Sequence, residues 1–147
     1  MVIPGKTVIS GKYEVLERLG RGGMGEVFKV RHKTLQTQLA IKTMLPELAE
    51  NEAYVKHFNE EARKNHSLSN PQNRDENIVQ VIDVAFDPSL NLHYYVMEYI
   101  EGKTLSQILR EQGALPLQDI LNIAEKVGRA LAKAHNCLLY TSPSPRD

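Results

Sequence analysis

Residues 19–31 read Leu19-Gly20-Arg21-Gly22-Gly23-Met24-Gly25-Glu26-Val27-Phe28-Lys29-Val30-Arg31, and four of the chain's nine glycines fall here. Gly20-x-Gly22-x-x-Gly25 fits a G-x-G-x-x-G pattern, which specifies little until its flanks are read. A dinucleotide-binding fingerprint follows a strand and opens a helix, so that the pyrophosphate meets the helix N-terminus. Here Glu26 to Arg31 is short, β-branched and aromatic, and reads as a strand. Tyr13 to Leu19 on the other side is also β-like. The glycines therefore form a turn between two antiparallel strands, which disfavours a dinucleotide-dependent oxidoreductase. Such a hairpin lets backbone N–H groups approach phosphate oxygens without Cβ interference. From the glycines alone, a flexible hairpin without a ligand remains equally open.

Working outward, Pro4, Gly5 and Gly11 mark residues 1–12 as a loose lead-in. After a polar turn, Leu39-Ala40-Ile41-Lys42 reads as a third strand. Pro46 precedes a helix over Asn51 to Leu68, with Tyr54, Phe58 and Ala62 in an i, i+4, i+8 row. Ser69 to Asn77 lacks large apolar residues and reads as a loop. Ile78 to Phe86 and Leu92 to Ile100 are strand candidates parted by Asp87-Pro88-Ser89. Thr104-x-x-Gln107 matches a capping box and starts a helix ending near Gly113. Leu117 to His135 is a longer helix with an apolar stripe of Ile120, Ala124, Val127, Leu131 and Ala134. The order β-β-β-α-β-β-α-α is an α+β pattern.

The 147 residues carry 18 Lys+Arg against 18 Asp+Glu, a formal net charge of zero, which excludes a strongly basic nucleic-acid binder. Hydrophobic residues at 41% speak against intrinsic disorder. No run reaches the about 18 apolar residues of a membrane span, and Met1 to Gly11 lacks a secretory signal pattern. The single cysteine, Cys137, excludes a disulfide framework. The expectation is a cytoplasmic globular protein. Gly5-Lys6-Thr7 and Gly102-Lys103-Thr104 resemble the end of a phosphate-binding P-loop, but neither has the required upstream glycine.

Ala40 and Lys42 share one face of their strand, and Leu39 and Ile41 the other. A lysine at a core-facing strand position is costly unless paired. Glu61, three residues after Phe58, leans toward the helix's apolar face and is the candidate partner. Glu60 points about a quarter-turn away, toward solvent. Taken singly, each charge is as readily a solvated surface group.

Taken together, these residues resemble the N-terminal lobe of a protein kinase, in wording closest to bacterial serine/threonine kinases of the eukaryotic type. Leu19 to Val27 resembles the glycine-rich loop, Leu39-Ala40-Ile41-Lys42 the lysine-bearing strand, and Phe58-x-x-Glu61-Ala62 the core of helix αC. Asn77-Ile78-Val79 resembles the start of the fourth strand and Tyr95 to Gly102 the fifth strand and hinge. The resemblance covers about Tyr13 to Asn136. It implies a five-stranded antiparallel sheet with helix αC over residues 13–100, then the hinge and first two helices of a second lobe over 101–136.

The resemblance further implies ATP and Mg²⁺ as cofactors and a protein Ser or Thr hydroxyl as acceptor. Lys42 would hold the α- and β-phosphates, oriented by an ion pair with Glu61. Gly20, Gly22 and Gly25 would close over the phosphates, with Arg21, Gly23, Met24 and Glu26 in the same ATP-binding segment. Leu19, Val27 and Ala40 would roof the adenine. Met97 would be the gatekeeper, and the backbone of Glu98 and Ile100 would meet the adenine edge. Ser69 to Glu76 is longer and more polar than the family's usual connection.

Phosphoryl transfer also needs a catalytic-loop Asp, an Asn and the Asp of Asp-Phe-Gly for the metal, and the sequence contains none of these motifs. Metal ligands are therefore expected outside it. Asp147, without a following Lys or Asn, is not a catalytic base. Cys137 to Asp147 matches, residue by residue, one reading frame of a transposase-type adapter used in sequencing libraries. It is expected to be non-native and set aside from fold reasoning. The expected function is the ATP-binding part of a serine/threonine protein kinase, the chain by itself being inactive. The alternative is a pseudokinase-type ATP-binding or scaffolding module without catalysis.

Overall fold

The computed structural model describes residues 1–68 and 75–141, with side chains to residue 136. Strands β1 (Val8–Ile9), β2 (Tyr13–Arg21), β3 (Gly25–His32), β4 (Gln38–Met44), β5 (Val81–Asp87) and β6 (Leu92–Glu98) form one sheet. Its order is β1-β2-β3-β4-β6-β5, and every pairing is antiparallel. Helix α1 (Glu52–Ser67) joins β4 to β5, and α2 (Leu105–Gln112) and α3 (Leu117–Thr141) follow the sheet. This is the expected α+β class with the expected glycine hairpin between β2 and β3.

The sheet has six strands where five were expected. The extra one, β1, falls in the supposed loose lead-in. Ile9 is fully buried in the same core as Phe28, Ile41 and Val96, and two residues are too few for alternation to register. Ser10, at φ 51°, turns the chain out of β1. Its amide donates to Asp87 Oδ2 at 2.6 Å, and its hydroxyl lies 2.6 Å from that of Tyr94.

Alternation along β4 and β6 serves two cores. Ile41, Tyr94 and Val96 enter the one shared with β1 and β2. Tyr95 joins Met44, Phe58, Ala62 and Val81 in the other, between sheet and α1. Asn51 caps α1, its side chain accepting from the Ala53 amide at 3.0 Å. Tyr54 is 42% exposed, so the expected helix row is displaced. Val55, Phe58 and Ala62 pack inward instead, the i, i+3, i+7 spacing of a single face. At the last turn, His66 Nδ1 donates to the Val81 carbonyl at 2.8 Å and ties α1 to β5.

The capping box forms as expected. Thr104 Oγ1 accepts from the Gln107 amide at 3.2 Å, and Gln107 Oε1 from the Thr104 amide at 2.8 Å. Gly113 closes α2 at φ 74°, a conformation that favours glycine. Helix α3 runs to Thr141, past the expected end at His135, and most of its apolar stripe is uncovered. Residues 69–74 of the expected loop and 142–147 of the tail lie outside the described residues. Among the described residues no helix is long and apolar enough to cross a membrane.

Candidate active site

A single rung of the sheet organises the site. Gly20 pairs with Val27, Val27 with Lys42, Lys42 with Tyr95, and Tyr95 with Val84. Residues opposite one another in antiparallel strands share a face, so the glycine hairpin, the lysine and the α1-facing core lie in register. The neighbouring rung pairs Lys29 with Ala40 and Ala40 with Met97. Ala40 and Lys42, two apart on β4, share a face as expected, and Met97, opposite Ala40, lies on that face too.

Lys42 Nζ lies 2.8 Å from Glu61 Oε1, with 28% and 35% of the two side chains exposed. The pair is therefore open to solvent on one side. Burial by itself would raise the Glu61 pKa. Hydrogen bonds from Lys42 and Tyr95, and the Lys42 charge, outweigh it and hold the carboxyl below its ordinary value. Glu60 is half-buried rather than fully solvated and has no side-chain hydrogen bond or ion pair among the described residues.

The expected ATP-binding segment lies along the two strands and their turn. Leu19 is 45% exposed beside a bulge between Arg18 and Gly20. Gly22 closes the hairpin, its amide donating to the Gly25 carbonyl at 2.8 Å. Arg21, Gly22 and Gly23 are exposed, Met24 and Glu26 are partly covered, and Gly25 is buried against β4. Glu26 takes an ion pair from Arg18 at 3.2 Å. Val27 is half-buried and Ala40 4% exposed. An exposed glycine turn, small apolar neighbours and a paired lysine are groups that could hold a nucleotide phosphate chain.

At the far edge, Met97 packs half-buried against the α1-side core. The Glu98 amide donates to the Gln80 carbonyl at 3.0 Å, and the Gln80 amide to Glu98 Oε1 at 2.8 Å. Ile100, 60% exposed, lies beyond the end of β6. Sequence reasoning missed two groups here. Tyr95 donates its hydroxyl to Glu61 Oε1 at 2.9 Å, and the Lys29 ammonium stands 4.7 Å above the Tyr99 ring. Period-2 alternation from Met97 back to Tyr95 was the available signal for the first. For the second, Lys29 and Ala40 sharing a rung gave a weaker one.

Comparison with known proteins converges with this geometry. The protein kinase domain family matches residues 13–140. A probable serine/threonine-protein kinase of Clostridium perfringens is 41% identical over 141 residues, covering 95% of this chain and 20% of that protein. Serine/threonine-protein kinase PrkC of Bacillus subtilis is 35% identical over 140 residues, again 95% of this chain and 20% of the relative. This chain thus spans about a fifth of the length of these curated relatives. The crystal structure of the Mycobacterium tuberculosis PknI kinase domain superposes with TM-score 0.71 at 25% identity, covering 92% of this chain and 51% of that one.

Proposed function

Because the chain belongs to the protein kinase family, we propose that it is the ATP-binding part of a serine/threonine protein kinase, which transfers the ATP γ-phosphate to protein Ser or Thr hydroxyls. The observation that carries this reading is the Lys42–Glu61 pair at 2.8 Å, in register with the glycine hairpin. An ammonium oriented by a carboxylate and facing an open cradle can hold the α- and β-phosphates. Gly20 and Gly22 would let backbone amides approach the phosphates. Leu19, Val27 and Ala40 would cover the adenine, and Met97 would bound its pocket. The Glu98 amide is committed to Gln80, so adenine would be met by the Glu98 carbonyl and the Ile100 amide.

The family generally uses ATP with Mg²⁺. The metal would neutralise charge on the phosphates, held by residues of the motifs that this sequence does not contain. Residues 13–100 are read as the smaller lobe, 101–136 as the hinge and first helices of the larger, and 137–147 as non-native.

The test uses the intact protein encoded at the genomic locus. With Mg²⁺ and ATP it should phosphorylate a generic Ser/Thr substrate, and Lys42→Met should nearly abolish the transfer. Nucleotide binding without transfer in the wild type would favour a pseudokinase. Transfer untouched by Lys42→Met would overturn the site.

A further inference from the structure

Tyr95 is 3% exposed, and Glu61 Oε1 accepts both its hydroxyl at 2.9 Å and the Lys42 ammonium at 2.8 Å. Its ring packs on Phe58, centroids 5.2 Å apart, less than one helical turn before Glu61 on α1. Lys42 Nζ stands 5.8 Å from the same ring. One buried side chain on β6 therefore touches the lysine, the glutamate and the helix that carries the glutamate. We propose that Tyr95 is the positioning residue of the Lys42–Glu61 pair, fixing the Glu61 carboxylate and α1 in the setting that presents Lys42 to a nucleotide. The proposal rests on the ATP-site reading for its consequence, but not for its geometry.

Little else holds the Lys42–Glu61 pair in one geometry. Both charged side chains are long, rich in rotamers and about a third exposed, so the ion pair alone orders them weakly. A tyrosine has two side-chain torsions, and here its ring is locked between sheet and helix. Its hydroxyl therefore acts as a fixed donor. Burial first, and then the Glu61 charge, push the phenol pKa strongly upward, so it stays protonated and donating. A buried phenol also needs a partner, and among the described residues Glu61 is the one its hydroxyl bonds. Any shift of α1 that carries Glu61 away from Lys42 leaves that hydroxyl unpaired. The penalty falls on the displaced state alone, which biases the helix toward the paired one.

The experiment substitutes Tyr95→Phe in the intact protein, which keeps the ring on Phe58 and removes only the hydroxyl. Without nucleotide, amide hydrogen exchange across residues 58–64 should accelerate about tenfold, the ratio carried by one hydrogen bond to a charged group. By carbon NMR, the Glu61 carboxyl should titrate at higher pH than in the wild type. In a Glu61→Ala background the same substitution should change exchange less than about twofold, because the acceptor is already gone. Unchanged exchange and titration in Tyr95→Phe, or equal acceleration in both backgrounds, would overturn the positioning role. A protein that transfers no phosphate yet shows the Glu61-dependent loosening sinks the kinase reading and supports the role of Tyr95.

Discussion

A Cβ placed on Gly25 would stand 2.1 Å from the carbonyl oxygen of Thr43 and 3.2 Å from its carbonyl carbon. Backbone, not a flexible side chain, fills that space, so β3 and β4 can pair through Gly25↔Met44 only if position 25 has no side chain. Gly20 and Gly23 meet nothing within 4 Å, and Gly22 meets only the Gly25 carbonyl at 4.0 Å. The last glycine of the pattern is thus required by the sheet, while the others leave room for a ligand.

Gly25→Ala should therefore destabilise the intact protein by about 1–3 kcal/mol, the usual cost of forcing atoms into packed space. Gly23→Ala should leave stability within about 1 kcal/mol. Denaturant midpoints of the two variants measure the difference. A Gly25→Ala protein as stable as the wild type would mean that the β3–β4 register is misassigned.

Lys42→Met and Glu60→Ala should separate activity from stability. Lys42 and Glu61 are about a third exposed, so losing their pair costs the fold only about 1 kcal/mol or less. A fully buried pair would cost several times more. The loss of one preorganised phosphate contact should still lower transfer by on the order of a hundredfold or more. Glu60 bonds nothing among the described residues, so Glu60→Ala should change rates by about twofold at most. Equal losses in the two variants would place the wrong face of α1 against the sheet.

What the sequence made legible was what is periodic or local. Alternation put Lys42 and Ala40 on one strand face, helical spacing turned Glu61 toward it, and the Thr104–Gln107 capping box is a contact within one turn. What stayed hidden depends on partners far along the chain. The two-residue β1 is held through Ser10 to Asp87 and Tyr94, 77 and 84 positions away. Tyr94 and Tyr95 look equivalent as adjacent strand formers, yet pleating sends one to Ser10 and the other to Glu61. Tyr54 fits the helical row as well as Val55 does, and the choice of Val55 is made by Met44, Val81 and Tyr95, side chains of distant strands that pack beneath α1.

Acid should unravel the link between β1 and the β5–β6 turn. Asp87 is 2% exposed. Its Oδ1 accepts from the Ser89 hydroxyl at 2.6 Å and the Ser89 and Leu90 amides, and its Oδ2 from the Ser10 amide. Burial would raise its pKa, but these bonds, led by that of the Ser89 hydroxyl, outweigh it and hold the carboxyl below its ordinary value. A folded-state pKa below the unfolded one gives stability that is present above about pH 4 and lost as pH falls through the folded value. Glu61, also lowered, adds loss in the same direction. Asp87→Asn should cost about 1–3 kcal/mol near neutral pH and flatten the acid limb of stability against pH. An acid limb identical to that of the wild type would rule Asp87 out as its source.

Produced alone, residues 1–147 should neither transfer phosphate nor stay monomeric. On the proposed reading ATP would meet a glycine turn, Lys42 and the backbone beyond Met97, but the sequence holds neither Asp-Phe-Gly nor His-Arg-Asp. The γ-phosphate would then meet no base, and Mg²⁺ none of the carboxylates that the family uses. Association has a separate cause. On α3, Leu117 is 72% exposed, Leu121 53%, Val127 50% and Leu131 65%, while among the helix's described side chains only that of Ala130, outside the stripe, is buried. In the kinase family this helix packs inside the larger lobe, where each such side chain is worth roughly 1.5–3 kcal/mol on burial. Apolar side chains left in water in this number favour self-association. Light scattering should report oligomers, a hydrophobic dye should bind, and radiolabelled ATP should leave a Ser/Thr substrate unlabelled. A monodisperse, cooperatively unfolding monomer that labels the substrate would show that these residues already hold a complete catalytic unit.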